Sequence, residues 1–362
     1  MSSEQDKLLA IRDRIDAIDT EIQALINARA ECAKDVAVVK QESGDDTLFY
    51  RPERESSVLQ RVLERNKGPL ADEEMARLFR EIMSACLALE QPLKVAYLGP
   101  EGTFTQSAAL KHFGESIKAF PCSDINEVFR EVEARNCAYG VVPIENSTEG
   151  VVNYTLDSLM QSTLRICGEV EIRIHQCLLS NESEFDSISK IYSHPQSLAQ
   201  CRGWLDKHIP LAERISVSSN ADAARRITQS PGAAAIAAEA ASSVYNLPIL
   251  HRNIEDSPDN ITRFLIVGDH FVPTSPADKT TLLVSASNRS GALYKLLKAF
   301  ADHDISLSRI ESRPSKSINW DYVFFLDIEG HEQSESVQNA LNQLRESTDM
   351  VKILGSYPRA VL

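Results

Sequence analysis

The stretch KVAYLGPEGTFTQSAALKHFG, residues 94–114, is where the texture of the chain changes. A short apolar, β-rich run (KVAYLG) passes through a glycine turn into a helical pattern. The same alternation recurs downstream, where YGVVPIE, KIYSH and RFLIVG read as strands and NADAARRITQ as a helix. Strands alternating with helices predict a mostly parallel α/β sheet. The segment 94–272 is long enough for two lobes with a cleft between them.

Toward the N-terminus, residues 1–91 carry almost no strand signal, and Pro52 and the Gly68-Pro69 pair read as breaks between helices. Leu8, Ile11, Ile15, Ile18, Ile22 and Leu25 alternate three and four residues apart, which is a heptad seam. A long helix with such a seam needs a partner to cover it, so an all-helical, dimerising domain is expected. The seam continues through Arg29, Cys32, Val36 and Val39, putting an arginine in an apolar slot, and Lys40 follows on nearly the same face. Cations so placed need anions. An internal ion pair, a solvent-facing end of the seam or a buried pocket for an anionic ligand would each account for them.

Toward the C-terminus, VPTSPADK (272–279) reads as a linker. Beyond it TTLLVSAS, GALYKLLKAFADHD, ISLSRIESR, DYVFFLDIE, SVQNALNQLRE and VKILGSY give the order βαββαβ, a ferredoxin-like α+β unit over 278–357.

Composition bounds the function. The 362 residues suit two to three domains, and 43% hydrophobic with 25% charged residues is ordinary for a globular protein. A net charge of −14 disfavours nucleic acid and anionic membranes as partners. No apolar run approaches the ~20 residues of a membrane span, and MSSEQDKLLAIRDRI lacks the apolar core of a signal peptide. A cytoplasmic location is expected. Seven cysteines are scattered without a CxxC pair, which points to reduced thiols and argues against zinc; no metal and no cofactor are expected.

Four short blocks carry hydrogen-bonding residues. SHPQSLAQC (193–201) offers a thiol and an imidazole, open to reading as a nucleophile or a metal site. The start of the helix in LGPEGTFTQSAAL (98–110) could receive an anion, although GPEGTF matches neither a dinucleotide fingerprint nor a phosphate loop. PIENSTEG (143–150) ends a strand with polar side chains from Glu145 to Thr148, and DNITRF (259–264) sets Asn260, Thr262 and Arg263 ahead of a buried strand. Singly, each of the last three blocks reads more readily as a cap or a turn than as a site.

Taken in order, GPEGTF, PIENS, SHPQSLAQC and TRF resemble the prephenate dehydratase family. The resemblance implies a two-lobed, periplasmic-binding-protein-like fold that holds prephenate in the interlobe cleft. Loss of the ring hydroxyl and carboxylate gives phenylpyruvate, so the reaction asks for a proton donor and a grip on the side-chain carboxylate. By resemblance Thr262 is the essential hydroxyl near the leaving group. Asn146, Ser147, Ser193, Gln196 and Gln200 are orienting donors, Thr103 and Thr105 stand at the carboxylate, and Glu145 and His194 lie beside them. Cys201 is then a packing residue.

Residues 5–91 resemble the all-helical chorismate mutase family, on Arg12, Arg29, Lys40, Arg54-Glu55 and positions 86 and 90. The resemblance implies an intertwined dimer in which Arg12 comes from the partner helix. The pericyclic rearrangement of chorismate, a dicarboxylate, needs a held conformer and stabilised charge on the breaking ether oxygen. Arg12 and Arg29 suit the carboxylates, Lys40 the ether oxygen and Glu55 the ring hydroxyl, with Arg51, Arg54 and Cys86 lining the pocket. The chain departs from the family pattern with Arg51 where some members have Asp, Cys86 where Ser is usual and Glu90 where many have Gln. Glu90 donates only when protonated, so mutase activity is expected to fall as pH rises.

Gly291-Ala292-Leu293, with Asn288 ahead of them, and Glu311-Ser312-Arg313-Pro314 resemble the ACT regulatory domain. The resemblance implies L-phenylalanine bound at a dimer interface, close backbone approach at Gly291, and feedback inhibition. The whole chain resembles the bifunctional chorismate mutase/prephenate dehydratases, as a homodimer or a higher oligomer. Two other readings remain: a dehydratase whose helical domain only dimerises, and an amino-acid sensor without turnover.

Overall fold

The computed structural model describes residues 4–43, 50–286, 289–314 and 322–360. Three helices come first: α1 (Glu4–Ser43), α2 (Pro52–Arg65) and α3 (Asp72–Glu90). At 40 residues α1 is about 60 Å long. Its apolar seam is bare, with Leu8, Ile11, Ile15, Ile18, Ile22 and Leu25 between 45% and 70% exposed. Pro52 is the first residue of α2 rather than a break between helices, because its fixed φ and missing N–H suit the first helical position. Among the described residues no helix is long and apolar enough to cross a membrane.

The first lobe runs β1 (Lys94–Leu98), α4 (Phe104–Phe113), β2 (Lys118–Cys122), α5 (Ile125–Glu133), β3 (Tyr139–Asn146), β4 (Gly150–Val151), α6 (Asn153–Gln161) and β5 (Arg165–Arg173). The second runs β6 (Cys177–Ser180), β7 (Lys190–Ser193), α7 (Pro195–Gln200), α8 (Arg202–His208), β8 (Glu213–Ser216), α9 (Asn220–Ile227), β9 (Ala233–Ala237), α10 (Glu239–Tyr245) and β10 (Ile249–His251). The chain then returns to the first sheet as β11 (Ile261–Gly268).

Strand order is β2-β1-β3-β11-β5 in the first lobe and β10-β6-β9-β7-β8 in the second. The sheets are mixed rather than mostly parallel. β1 pairs in parallel with β2 and β3, as β7 does with β8 and β9. β11, however, runs antiparallel to both β3 and β5, and β6 antiparallel to β9 and β10. β11 is reversed because the chain, returning from the second lobe, enters the first sheet between β3 and β5. The two crossings between lobes run side by side, with Ile174 N donating to Asn260 O at 2.8 Å and Ile254 N to Gln176 O at 2.9 Å.

The C-terminal domain is β12 (Asp278–Ala286), α11 (Ala292–Ala301), β13 (Leu307–Pro314), β14 (Tyr322–Glu329), α12 (Glu335–Ser347) and β15 (Met350–Pro358). Its antiparallel sheet has the order β13-β14-β12-β15. Asp278 and Lys279, which read as linker, instead begin β12 and are buried. This domain shares a core with the first lobe: Leu283, Phe325, Leu354 and Tyr357 cluster with Ile144, Leu156, Ile166 and Leu265. β15 lies so close to β5 that a Cβ on Gly355 would fall 2.1 Å from the Ile166 carbonyl oxygen. Only glycine fits that approach.

Candidate functional sites

In the first lobe, Asn146 at the end of β3 stands opposite Thr262 in β11. The Asn146 amide donates to Thr262 Oγ1 at 2.7 Å and to Asn260 Oδ1 at 2.8 Å. Its oxygen accepts from the backbone N–H groups of Thr148 and Glu149 at 2.9 and 3.0 Å. Those two bonds fix which way the amide points. Thr262 therefore accepts from Asn146 and keeps its own hydroxyl proton to give elsewhere. Ser147 Oγ accepts from Ile261 N at 2.9 Å, bracing the start of β11. Asn260 is buried, and its side-chain NH₂ has no partner among the described residues, an uncompensated donor two residues from Thr262.

The second lobe contributes the end of β7 and helix α7. Ser193 is fully buried, and its Oγ lies 2.9 Å from both Asn220 Oδ1 and Ile236 O. One hydroxyl proton serves those two acceptors, so Ser193 is an internal brace and not the orienting donor expected. His194 caps α7, its Nδ1 accepting from Gln196 N at 3.4 Å. Gln200 Oε1 accepts from Gln176 Nε2 at 3.3 Å, and Gln176 lies in the first interlobe crossing. Gln200 thus contacts the same connection that Asn260 braces through its backbone. The side-chain amide of the half-buried Gln196 makes no hydrogen bond among the described residues. Asn220, which no motif marks, ties α9 to α7 through Ser197 Oγ at 2.8 Å.

Cys201 is fully buried, and its thiol is pushed well above its ordinary range by burial, then by Glu255 and Asp256. Such a thiol is inert. Among the described residues no cluster of three or more His, Cys, Asp or Glu could hold a metal.

In the glycine loop, Thr103 caps α4, accepting from Gln106 N at 3.4 Å and donating to Leu98 O at 3.2 Å, and Thr105 is buried in the helix. Tyr245 of the second lobe donates to Glu101 O at 3.0 Å, so the lobes meet at this loop.

Glu145 departs from the expectation. It pairs in register with Arg263, one step from Asn146 and Thr262 and therefore on the opposite face of the sheet. Its carboxylate lies 2.7 Å from Arg309 Nε and 3.3 Å from Arg263 Nη1. It is turned toward the C-terminal domain, away from Asn146.

In the helical domain, α1 and α3 bring Arg29, Lys40 and Glu90 together. The Glu90 carboxyl is held above its usual range because burial outweighs the opposing pull of Lys40 and Arg29. Cys86, one turn earlier, is buried. Arg12 lies 17 positions from Arg29, about 25 Å along the helix, beyond reach of that group within one chain. Arg51 pairs with Glu53 at 2.7 Å, and Arg54 is exposed. Glu55 is not at this group. Arg80 Nε lies 3.3 Å from its Oε1, and burial raises its carboxyl pKa against the pull of Arg80. Arg80 precedes Glu90 on α3 by about 15 Å, which accounts for the separation.

In the C-terminal domain, Gly291 has φ +81° with open space beside it and precedes Ala292 and the exposed Leu293 on α11. Register carries Ala286 across Tyr322 to Pro314, so Gly291 and the Glu311–Arg313 segment sit toward the same end of the sheet, separated by β14. Ser312 is exposed on the edge strand β13, and Glu311 is half-buried. Arg313 is docked on α6, donating to Asp157 Oδ1 at 2.6 Å and Asn153 O at 3.1 Å. Asn288 lies outside the described residues.

Comparison with known proteins agrees with this division. Residues 11–91 match the family model of chorismate mutase type II, 95–271 that of prephenate dehydratase and 280–346 that of the ACT domain. The chain is 56% identical to a bifunctional chorismate mutase/prephenate dehydratase of Pseudomonas aeruginosa, covering 99% of this chain and 100% of that one. It is 46% identical to the protein of the same description from Aquifex aeolicus, covering 99% of each. Among solved structures, the prephenate dehydratase of Arthrobacter aurescens in complex with L-Phe superposes with a TM-score of 0.69 at 36% identity, over 74% of this chain and 90% of that one.

Proposed function

The chain belongs to the bifunctional chorismate mutase/prephenate dehydratase family, and we propose that its two reactions run at the Arg29–Lys40–Glu90 group and at the Thr262–Asn146 pair. It is an isomerase toward chorismate and a lyase toward prephenate, in the synthesis of phenylalanine.

For the dehydratase, the carrying observation is that Asn146 spends both amide protons, on Thr262 and Asn260. Thr262 gives its proton to the ring hydroxyl of prephenate as that group leaves as water. Carbon dioxide departs with its bonding electrons completing the aromatic ring, and solvent reprotonates the threonine. Gln196 and Gln200 in the second lobe and Ser147 in the first orient the anion across the cleft. Thr103 and Thr105 hold the loop and helix start that receive its side-chain carboxylate.

For the mutase, Arg29 grips a carboxylate of chorismate, while Lys40 and protonated Glu90 stabilise the ether oxygen. Arg12 comes from a second copy whose α1 covers the bare seam of the first, so the enzyme is a homodimer. Seven free cysteines suit a reducing, cytoplasmic setting. The ACT domain binds L-phenylalanine near Gly291 and Glu311–Arg313 and inhibits the dehydratase, a reading supported by the similar prephenate dehydratase of Arthrobacter aurescens, solved in complex with L-Phe.

Engagement of Glu55 by Arg80 is the one observation on the side of a second reading, in which the helical domain only dimerises. Two variants decide. Arg29→Ala should abolish chorismate consumption and leave prephenate turnover intact, while Thr262→Ala should accumulate prephenate. Chorismate consumption unaffected by Arg29→Ala would assign no mutase role to this group.

A further inference from the structure

The face of the β3–β11 pair turned away from Thr262 carries an ion network shared by two domains. Arg263 is buried. Its Nε donates to Glu169 at 2.8 Å, its Nη1 to Asp327 at 2.6 Å and to Glu145 at 3.3 Å, and its Nη2 to Tyr357 Oη at 3.1 Å. Lys279 Nζ lies 2.8 and 2.7 Å from the two oxygens of Glu169, and Thr281 donates to the other Asp327 oxygen at 2.7 Å. Arg309 closes the network on Glu145. Arg263, Lys279 and Arg309 thus face Glu145, Glu169 and Asp327, a balanced set. The forked guanidinium of Arg263 fixes each direction, and removing one member would strand a buried charge.

We propose that Arg263 and Glu145 are positioning residues through which the ACT domain sets the Thr262–Asn146 pair. Thr262 and Arg263 are consecutive, as are Glu145 and Asn146, so no backbone slack separates the network from the catalytic hydroxyl. A register shift between Arg263 and Phe264 puts a bulge at this point, a device that re-aims side chains. A second grip acts on the same region. Arg313 holds the start of α6, and Lys352 Nζ donates to Leu159 O at 3.2 Å and Ser162 O at 2.8 Å at its end. That helix follows the β3–β4 turn that orients Asn146. Arg309 also keeps one buried Nη without a partner among the described residues, so the network has a spare donor with which to rearrange. The regulatory half of the proposal rests on the reading of the ACT domain as an L-phenylalanine sensor.

The test uses the full chain carrying Arg309→Met, Arg309→Lys or Asp327→Asn. Dehydratase kcat and KM, mutase rate, melting temperature, phenylalanine inhibition and phenylalanine binding by calorimetry are measured on each. Arg309→Met and Asp327→Asn should lower dehydratase kcat about tenfold with KM nearly unchanged, since a small displacement of a positioned group costs this much or more. Mutase rate should not move, Arg309→Lys should restore most of the kcat, and phenylalanine, still bound, should inhibit about fivefold less well. Folded variants with kcat and inhibition both within about twofold of wild type would overturn the proposal. Losses that affect the mutase equally or track the melting temperature would also overturn it. A wild-type chain that binds no phenylalanine would instead sink the sensor reading, and the kcat values would still decide the positioning role.

Discussion

Asn146 donates to the hydroxyl oxygen of Thr262 at 2.7 Å, which leaves the Thr262 proton as the one donor of the pair free to move. Thr262→Val keeps the shape of the side chain and removes that proton. Dehydratase turnover should fall by about 10²–10⁴-fold, the usual contribution of a positioned acid, while Thr262→Ser retains much of it. Prephenate turnover near the wild-type rate in Thr262→Val would remove the hydroxyl from the mechanism.

Glu90 titrates above the usual carboxylate range because burial outweighs Lys40 and Arg29. In the proposed mutase mechanism its protonated form donates to the ether oxygen, so mutase kcat should decline as pH rises through this raised pKa. The glutamine amide donates at every pH. A pH–rate profile of Glu90→Gln should therefore be flat over the same window, and a decline identical to wild type would point to another group.

The raised Glu90 pKa also has a sign for stability. The folded state binds the proton more tightly than the unfolded chain, so this group's contribution weakens as pH rises from the unfolded to the folded pKa. Glu90→Gln should lessen that slope in denaturant titrations run across pH. A steeper slope would contradict the assignment.

The exposed seam of α1 and the distance of Arg12 from Arg29 predict a site completed by a second chain. Arg12→Ala and Arg29→Ala should each be inactive as mutases. Mixed, unfolded and refolded together, they should recover about a quarter of wild-type activity, because half the dimers are mixed and each holds one intact site. No recovery, with dimers formed, would mean that both residues serve one chain's pocket.

Cys201 is packed among Leu178, Ile191, Leu205 and Ile236. Cys201→Ala should keep dehydratase turnover and lower stability by about 1 kcal/mol, as read by chemical denaturation. Loss of turnover in a folded Cys201→Ala would reopen a nucleophilic role.

The order of domains was legible because period and punctuation are local signals. The alternation after Lys94 and the βαββαβ order both stand in the structure. The antiparallel seating of β11 was not legible, since it depends on where a strand returns after a visit to the second lobe. PIENS and TRF mark the paired strands β3 and β11, but the motifs do not say which of their side chains share a face. The two-residue period of a strand does, and it puts Glu145 and Arg263 on the side away from Asn146 and Thr262. Arg263 was visible as a motif residue and passed over as a site because its partners Asp327 and Tyr357 are far away in the chain. The partner of Glu55 is likewise distant in sequence, Arg80 lying 25 positions on. Asp278 and Lys279 looked like linker by composition and proved to be strand, tied down by Ser275 and Glu169.

The most direct measurement supplies chorismate to the purified full chain and follows prephenate and phenylpyruvate over time, with and without L-phenylalanine. The account predicts that chorismate disappears, prephenate passes through a transient, and phenylpyruvate accumulates. Phenylalanine should slow the last step and let prephenate build up. Chorismate left unconsumed, or prephenate formed but never converted, would contradict the assignment of both reactions to this chain.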